Sequence, residues 1–144
     1  MSSNIFVLLY YKFTPIKNAK FEAKQHKLVC KGIGLNGRII IGEEGINGTV
    51  AGNRAQLKEY TDYMDNHPDF KGIVFKRSTA PKMPFPKMIV KYRPEIVTLG
   101  KKVDLKKTGK YLKPEQMHEL FEKGEDMVVV DMRNNYEWEV GRFD

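Results

Sequence analysis

The start of the chain has an apolar run typical of a strand, followed by a segment with the composition and spacing of a helix. The run Ile5–Phe13 is apolar and aromatic almost throughout, which predicts a first β-strand. Ile16–Ile33 is rich in good helix formers and predicts a helix. Within it, Phe21, Leu28 and Val29 recur at helical spacing, so we expect these three side chains on its inner face. The chain therefore opens with a strand followed by a helix.

The next segment repeats this alternation. Arg38–Ile41 and Ile46–Ala51 predict two strands joined by a tight turn, and Ile73–Ser78 predicts a fourth strand. Asn53 is placed to cap a second helix before that last strand. The inner face of this helix is predicted to carry Leu57, Tyr60, Tyr63 and Met64. The order β-α-β-β-α-β predicts an α+β fold of the ferredoxin-like type, with one antiparallel sheet and two helices on one of its faces.

A second part of the chain follows this fold. Lys87–Val97 predicts an extra strand on the sheet edge, and Lys101–Lys113, with six lysines and one aspartate, predicts a basic linker. Pro114–Lys123 then predicts a short helix, and Asp126–Arg133 predicts a strand of the kind that is buried on both faces of a parallel sheet. The predicted domains are a ferredoxin-like domain at 1–100, a linker at 101–113 and the first βα step of a further α/β domain at 114–144.

Charge separates the two parts of the chain. Residues 1–113 carry 22 Lys and Arg against 9 Asp and Glu, a net charge of +13, whereas residues 114–144 carry 3 against 9, a net charge of −6. A basic unit is typical of proteins that bind a polyanion, nucleic acid above all, although a lysine-rich surface that serves solubility has the same composition. No apolar run reaches the roughly 20 residues of a membrane span, and the N-terminus lacks the basic start of a signal peptide. With a single cysteine as well, we expect a cytoplasmic protein.

Several classes of chemistry are not supported by the residues. The three histidines and Cys30 do not have the spacing of metal ligands, so we expect no metal, and no glycine-rich phosphate motif indicates a nucleotide cofactor. Cys30 follows two apolar residues and is predicted to be a buried apolar side chain rather than a nucleophile. The fold resembles acylphosphatase, but the turn after the first strand lacks the glycine and the arginine that cradle phosphate in that enzyme. We therefore exclude acylphosphatase activity.

The strand KMIVKYR is the best candidate for nucleic-acid contact. Strand alternation places Lys87, Lys91 and Arg93 on one face of this strand, together with Ile89. Its other face carries Met88, Val90 and Tyr92. Three cations on one face suit a phosphate backbone, and they also suit an edge strand protected against aggregation.

The hairpin stretch IIIGEEGINGTVAG contains an Asn-Gly pair in an unusual place. We expect the turn at Glu43, Glu44 and Gly45, with Gly45 supplying a positive φ. Asn47 and Gly48 then lie just inside the third strand, where the glycine permits a close approach or a bulge and the asparagine offers both donors and acceptors. A structural and a chemical role for this hairpin are both compatible with the sequence.

The tail stretch VVVDMRNNYEWEVGRF resembles the opening motif of the rhodanese domain. The resemblance implies structural roles for Asp131, Arg133 and Glu137, which would hold the first strand to the following helix by charge-assisted hydrogen bonds. Arg142 stands where that family usually has a histidine. The rhodanese active site is a loop that begins with a cysteine, well downstream of this motif. We therefore expect the catalytic cysteine beyond Asp144 and no catalytic residue in this chain.

Taken together, these strings resemble the tRNA uridine(34) hydroxylase family. The resemblance rests on Glu44–Thr49 (EGINGT), on Pro84 and Phe85 before the basic strand, on Glu95–Gly100 (EIVTLG) and on the rhodanese-like opening, and it covers essentially the whole chain. It implies an enzyme that uses molecular oxygen to place a hydroxyl group on C5 of the wobble uridine of certain tRNAs. The product, 5-hydroxyuridine, is the first step toward 5-alkoxyuridines. No further cofactor is evident.

The resemblance also implies a division of roles. This chain would be the N-terminal portion of such an enzyme, inactive by itself, and would position the tRNA anticodon stem-loop. The residues expected to contact RNA are Lys12, Lys87, Lys91 and Arg93, with the lysines of the linker. Two alternatives come from other classes of protein: a rhodanese-type sulfurtransferase and a non-catalytic RNA-binding module. The sequence does not indicate an oligomeric state.

Overall fold

The chain divides into two units, Met1–Lys101 and Lys102–Asp144. The structure, a computed structural model, describes residues 5–97, 100–101, 103–104 and 107–143. Two residues of the EIVTLG string, Thr98 and Leu99, and two lysines of the predicted linker, Lys102 and Lys106, lie outside the described residues.

The part of the first unit that the structure describes consists of a five-stranded sheet and two helices. In chain order its elements are β1 (Ile5–Phe13), α1 (Ala19–Ile33), β2 (Asn36–Gly42), β3 (Gly45–Gly52), α2 (Arg54–Asn66), β4 (Lys76–Ala80) and β5 (Met88–Tyr92). The strand order is β4-β1-β3-β2-β5. This arrangement confirms the α+β, ferredoxin-like fold with an extra edge strand.

The first four strands pair antiparallel, as predicted, and the extra edge strand, whose direction was not predicted, makes the whole sheet mixed. β4 ends beside Ile5, and β5 begins with Met88 opposite Gly37 and runs parallel to β2. The connection between them crosses the end of the sheet, where Asn36 Nδ2 donates to the carbonyl of Phe85 at 2.8 Å. Because the chain crosses at that end, β5 can only start there and follow the direction of β2.

Helix α1 lies on the sheet through a face that the sequence did not predict. Its buried residues are Ala19, Ala23, His26 and Cys30. Phe21 and Leu28, predicted to face inward, are 55% and 63% exposed. The buried stripe has helical spacing too, and three of its four side chains are small, which suits close packing of a helix on a sheet.

Helix α2 follows the prediction. The Asn53 side chain accepts a hydrogen bond from the Gln56 N–H at 2.9 Å, and the Gln56 side chain accepts one from the Asn53 N–H at 2.8 Å, which completes a capping box. Leu57, Tyr60 and Met64 are buried, whereas Tyr63 is half-buried. The helix ends at Asn66, two residues before Pro68.

The described residues of the second unit form two short helices, α3 (Pro114–Glu122) and α4 (Asn135–Val140). Asp126–Arg133, predicted as a buried strand, is not a strand in the described structure, and Val128 in it is 91% exposed. A strand forms only where neighbouring strands accept and donate its backbone hydrogen bonds. Among the described residues of this unit no other strand is present to pair with it.

Candidate nucleic-acid interface

A basic groove runs between the C-terminal half of α1 and the edge strand β5. Its volume is about 700 Å³, and the lysines that line it are Lys27, Lys31, Lys87 and Lys91. None of the described residues that line the groove is acidic. Four positive charges without a counter-charge repel one another, and a chain of phosphates relieves this repulsion when it enters.

Strand β5 supplies one wall of the groove. Met88 and Val90 are buried, whereas Lys87, Lys91 and Arg93 are exposed, which confirms the predicted alternation. The backbone N–H of Arg93 donates to the carbonyl of Ile41 at 3.0 Å, so the ladder to β2 continues one residue past the strand. The core therefore holds the buried residues in place and fixes the direction of the three cations.

Helix α1 supplies the other wall, which the sequence analysis missed. Its exposed lysines, spaced four, three and four residues apart, are Lys20, Lys24, Lys27 and Lys31. This is the spacing of one helix face, so the signal was present in the sequence. Within the described residues none of these four lysines has an ion pair with a carboxylate, and Lys20 Nζ lies 5.3 Å from the ring centre of Tyr92 on β5.

Lys12, the fourth predicted RNA contact, lies apart from the groove. It is half-buried on β1, and its Nζ donates to the carbonyls of Asp69 at 2.9 Å and Lys71 at 2.7 Å. Two of its three donors thus tie β1 to the loop after α2. The structure therefore brings together Lys87, Lys91 and Arg93 but leaves Lys12 in a structural contact.

The turn of the β2–β3 hairpin holds the end of β5 and the segment after it through two carboxylates. The Tyr92 hydroxyl donates to Glu43 Oε1 at 2.6 Å, which lowers the pKa of Glu43 and raises the pKa of Tyr92. Glu44 Oε1 accepts from the backbone N–H of Ile96 at 2.6 Å and of Val97 at 3.4 Å. The EGINGT and EIVTLG strings are therefore bonded to each other, because Glu44 belongs to the first and its donors to the second.

Inside this hairpin the two glycines have separate steric roles. Gly45 has a φ of +148°, and a Cβ there would collide with the carbonyl of Lys12. Gly48 has ordinary backbone, but a Cβ would lie 2.5 Å from the hydroxyl of the buried Tyr10. The turn comprises Glu43 and Glu44, whereas Gly45, predicted as its third residue, is the first residue of β3. Asn47 lies inside that strand, as predicted.

The described part of the second unit contains hydrogen bonds between charged side chains and the groups around α4. Arg133 donates from Nε and Nη2 to the Asp131 carboxylate at 2.7–3.1 Å and from Nη2 to the carbonyl of Gly141 at 2.7 Å. The arginine holds the pKa of Asp131 down at about 2. Glu137 accepts from the N–H and the side chain of Asn134 at 3.0 and 2.9 Å and so caps α4. These residues tie the segment before α4 to both ends of that helix.

The remaining chemistry-bearing side chains do not add to the groove. Cys30 is fully buried, and burial raises the pKa of its thiol to about 12. Among the described residues no group of three or more His, Cys, Asp or Glu could hold a metal ion. None of the described helices combines the length and the apolar character that a membrane crossing requires.

Comparison with known families identifies the first unit. Residues 5–96 match the family described as the UPF0176 acylphosphatase like domain. The chain belongs to this family. The match includes the hairpin and the two strands beside it, and it ends at the Ile96 N–H that Glu44 binds.

Curated relatives of this UPF0176 chain extend over both units. A protein of Streptococcus suis (strain 05ZYH33) named tRNA uridine(34) hydroxylase is 46% identical over 151 residues, which cover 99% of this chain and 46% of that protein. A protein of Bacillus mycoides (strain KBAB4) with the same name is 46% identical over 140 residues, covering 95% and 44%. The chain thus spans a little less than half the length of the curated relatives it matches.

Among solved structures, the UPF0176 chain is similar in fold to BlrB, a BLUF protein in its dark state. The TM-score is 0.55 at 15% identity, over 65% of this chain and 76% of that one. At this level of identity the likeness shows the fold alone.

In this UPF0176 chain the turn after β1 is closed to phosphate. The Thr14 N–H donates to the carbonyl of Glu44 at 2.9 Å, and the Ile16 N–H donates to that of Glu43 at 3.0 Å. Backbone N–H groups that already donate to carbonyls cannot form the nest that holds an anion. This geometry supports the exclusion of acylphosphatase activity.

Proposed function

We propose that this chain is the RNA-holding part of a tRNA uridine(34) hydroxylase and that its lysine groove binds the anticodon stem-loop. The parent enzyme would hydroxylate C5 of the wobble uridine with molecular oxygen as co-substrate. The names of the relatives and their identity over both units support this proposal. The observation that carries it is the groove, because four uncompensated lysines are matched to a polyanion and to no small neutral ligand.

The chain by itself is expected to form no 5-hydroxyuridine. Its single cysteine, Cys30, is buried with a raised thiol pKa, so it offers no accessible thiolate for a rhodanese-type loop. Mass spectrometry of nucleosides from tRNA incubated with the 144-residue chain in air checks this expectation. Formation of 5-hydroxyuridine by the chain would contradict it.

The groove is tested with two triple variants of equal charge. Lys87/Lys91/Arg93→Ala removes the two groove lysines of β5 and the arginine that follows the strand, whereas the control Lys17/Lys58/Lys71→Ala removes three exposed cations that do not line the groove. Removal of one cation that binds a phosphate lowers the slope of log affinity against log salt by roughly 0.7 to 0.9. We therefore expect the groove variant to bind tRNA more weakly, with a slope smaller by about 2 to 3.

The control variant distinguishes local contact from overall charge. It is expected to keep a salt slope close to that of the wild type, since a lower net charge that leaves every phosphate-binding cation in place changes mainly long-range attraction. If both variants show the same decrease in affinity and in slope, the protein attracts RNA by net charge alone and the groove is not the site.

A further inference from the structure

The face of the sheet opposite the helices carries an exposed row of apolar and aromatic side chains. Along β1 the row consists of Leu9, Tyr11 and Phe13, which are 48%, 54% and 37% exposed. The ring centres of Tyr11 and Phe13 lie 6.2 Å apart at an interplanar angle of 73°. The two rings are nearly perpendicular, so a flat group that stacks on one ring contacts the other ring with its edge.

Polar and cationic side chains extend from this row across the sheet. Strand pairing aligns Tyr11 with Asn47, Ile40 and Lys91, and it aligns Leu9 with Lys76 on one side and Thr49 and Arg38 on the other. No strand position on this face in the five described strands is acidic. The cations of the face, all exposed, are Arg38, Lys76 and Lys91.

Asn47 adds an amide that can hydrogen-bond to the polar edge of a base. Its half-buried amide lies beside Tyr11 and makes no hydrogen bond within the described part of the chain. An amide has two donors and an acceptor, which is what the edge of a base requires. Lys91 belongs both to this face and to the lysine groove, so one path of positive charge joins the two surfaces.

We propose that this face binds unpaired nucleotides of an RNA by stacking their bases on Tyr11 and Phe13 while the backbone follows the cations toward the groove. The inference rests on the proposed function and names the part of the RNA that is bound. Alternate positions on one strand face are about 6.8 Å apart, twice the roughly 3.4 Å rise per nucleotide of a duplex strand. Bases that reach successive positions on this face are therefore unstacked from one another, which selects single strands over duplex.

The experiment compares three 144-residue variants with the wild-type chain. Tyr11→Val removes the aromatic ring but keeps a good strand former, and Tyr11→Phe keeps the ring. Leu9→Val is the control on the same face of the sheet. The probes are a seven-nucleotide oligouridylate and an abasic ribose-phosphate oligomer of the same length and charge. We expect Tyr11→Val to weaken oligouridylate binding by roughly 5- to 150-fold, the range for removal of one aromatic ring that stacks on a base, and to leave the abasic oligomer unaffected.

The controls separate this proposal from that of the groove. Tyr11→Phe and Leu9→Val are expected to bind both probes as the wild type does, whereas Lys27/Lys31→Ala, which removes two groove lysines that do not lie on this face, is expected to bind both probes more weakly. If the groove proposal fails, Lys27/Lys31→Ala keeps its affinity for the abasic oligomer, and the effect of Tyr11→Val on oligouridylate still reports on stacking.

Two results would overturn the proposal that bases stack on this face. One is equal affinity of the wild type and Tyr11→Val for oligouridylate. The other is a wild type that self-associates in sedimentation equilibrium and becomes monomeric with Tyr11→Val, with no change in RNA affinity. That second result would assign the face to contact with another copy of the chain.

Discussion

A buried chain of hydrogen bonds under the sheet gives a sharp test of what stabilises the first unit. Tyr60 on α2 is hydrogen-bonded through its hydroxyl to the Tyr10 hydroxyl on β1 and to His26 Nε2 on α1 at 2.8 Å. All three side chains are buried. The Tyr60 hydroxyl is thus the central member of a bridge between the sheet and both helices.

Removing the central hydroxyl leaves two buried groups without a partner. Tyr60→Phe keeps the ring but deprives both the Tyr10 hydroxyl and His26 Nε2 of the hydrogen bond that the described structure shows. A buried polar group left unsatisfied costs about 1–3 kcal/mol, so Tyr60→Phe is expected to lower the free energy of unfolding by about 2–6 kcal/mol. Domains of this size have about 5–15 kcal/mol in total.

Removing a terminal hydroxyl has a smaller effect. Tyr10→Phe leaves the Tyr60–His26 bond intact and is expected to cost about 0.5–1.5 kcal/mol. In the double variant only His26 Nε2 lacks its partner, so the expected decrease is about 1–3 kcal/mol. The double variant should therefore be more stable than Tyr60→Phe alone, and the coupling in the double-mutant cycle should be favourable by more than 1 kcal/mol, roughly.

Urea unfolding followed by far-UV circular dichroism measures these free energies, with an unchanged m-value as the sign that the unfolding reaction is the same. Tyr63→Phe is the matched control, since this half-buried tyrosine of α2 has no hydroxyl hydrogen bond within the described structure. It is expected to change stability by less than about 0.5 kcal/mol. A Tyr60→Phe variant as stable as the wild type, or a double variant less stable than Tyr60→Phe, would refute the reasoning.

Two further predictions concern the same core. Burial lowers the pKa of His26, and the neighbouring His26 imidazole, whose Nδ1 lies 3.7 Å from Glu22 Oε1, lowers the pKa of Glu22. Both groups bind fewer protons in the folded than in the unfolded state, so the stability should fall as the pH drops below about 6.5 and further below about 4.5. Thermal unfolding between pH 8 and pH 4 measures this, and His26→Gln should flatten the profile above pH 5.5, roughly. Gly48→Ala places a Cβ 2.5 Å from the Tyr10 hydroxyl and should cost about 1–3 kcal/mol by urea unfolding, whereas Gly32→Ala, with open space around it, should not destabilise. If Gly48→Ala leaves the free energy of unfolding unchanged, the core around that glycine adjusts to the added Cβ.

The sequence predicted the β5 wall of the candidate interface but not the α1 wall. The cations of β5 follow from strand alternation, which needs only the sequence of that strand. The lysines of α1 have an equally regular spacing, but nothing in the sequence states that this helix face borders β5. The β2–β5 pairing and the packing of α1 against that edge create the groove, and both depend on residues far apart in the chain.

The hairpin shows the same division within a single motif. Its turn at Glu43 and Glu44 follows from local residue types, and the predicted positive φ of Gly45 is confirmed. The partners of the two carboxylates could not be read from the turn, since Tyr92 and the Ile96 N–H come from a segment about fifty residues later.

The sequence by itself determined the order of the elements in the first unit. It predicted the bounds of β1, the cap of α2 and the β-α-β-β-α-β order, because periodicity and capping are properties of neighbouring residues. The tertiary structure decided which apolar stripe of α1 is buried, the parallel direction of β5 and the position of Lys12 against carbonyls rather than in the groove. It also decided that Asp126–Arg133 forms no strand. Each of these depends on a partner surface elsewhere in the chain, and burial or pairing is settled only when two such surfaces meet.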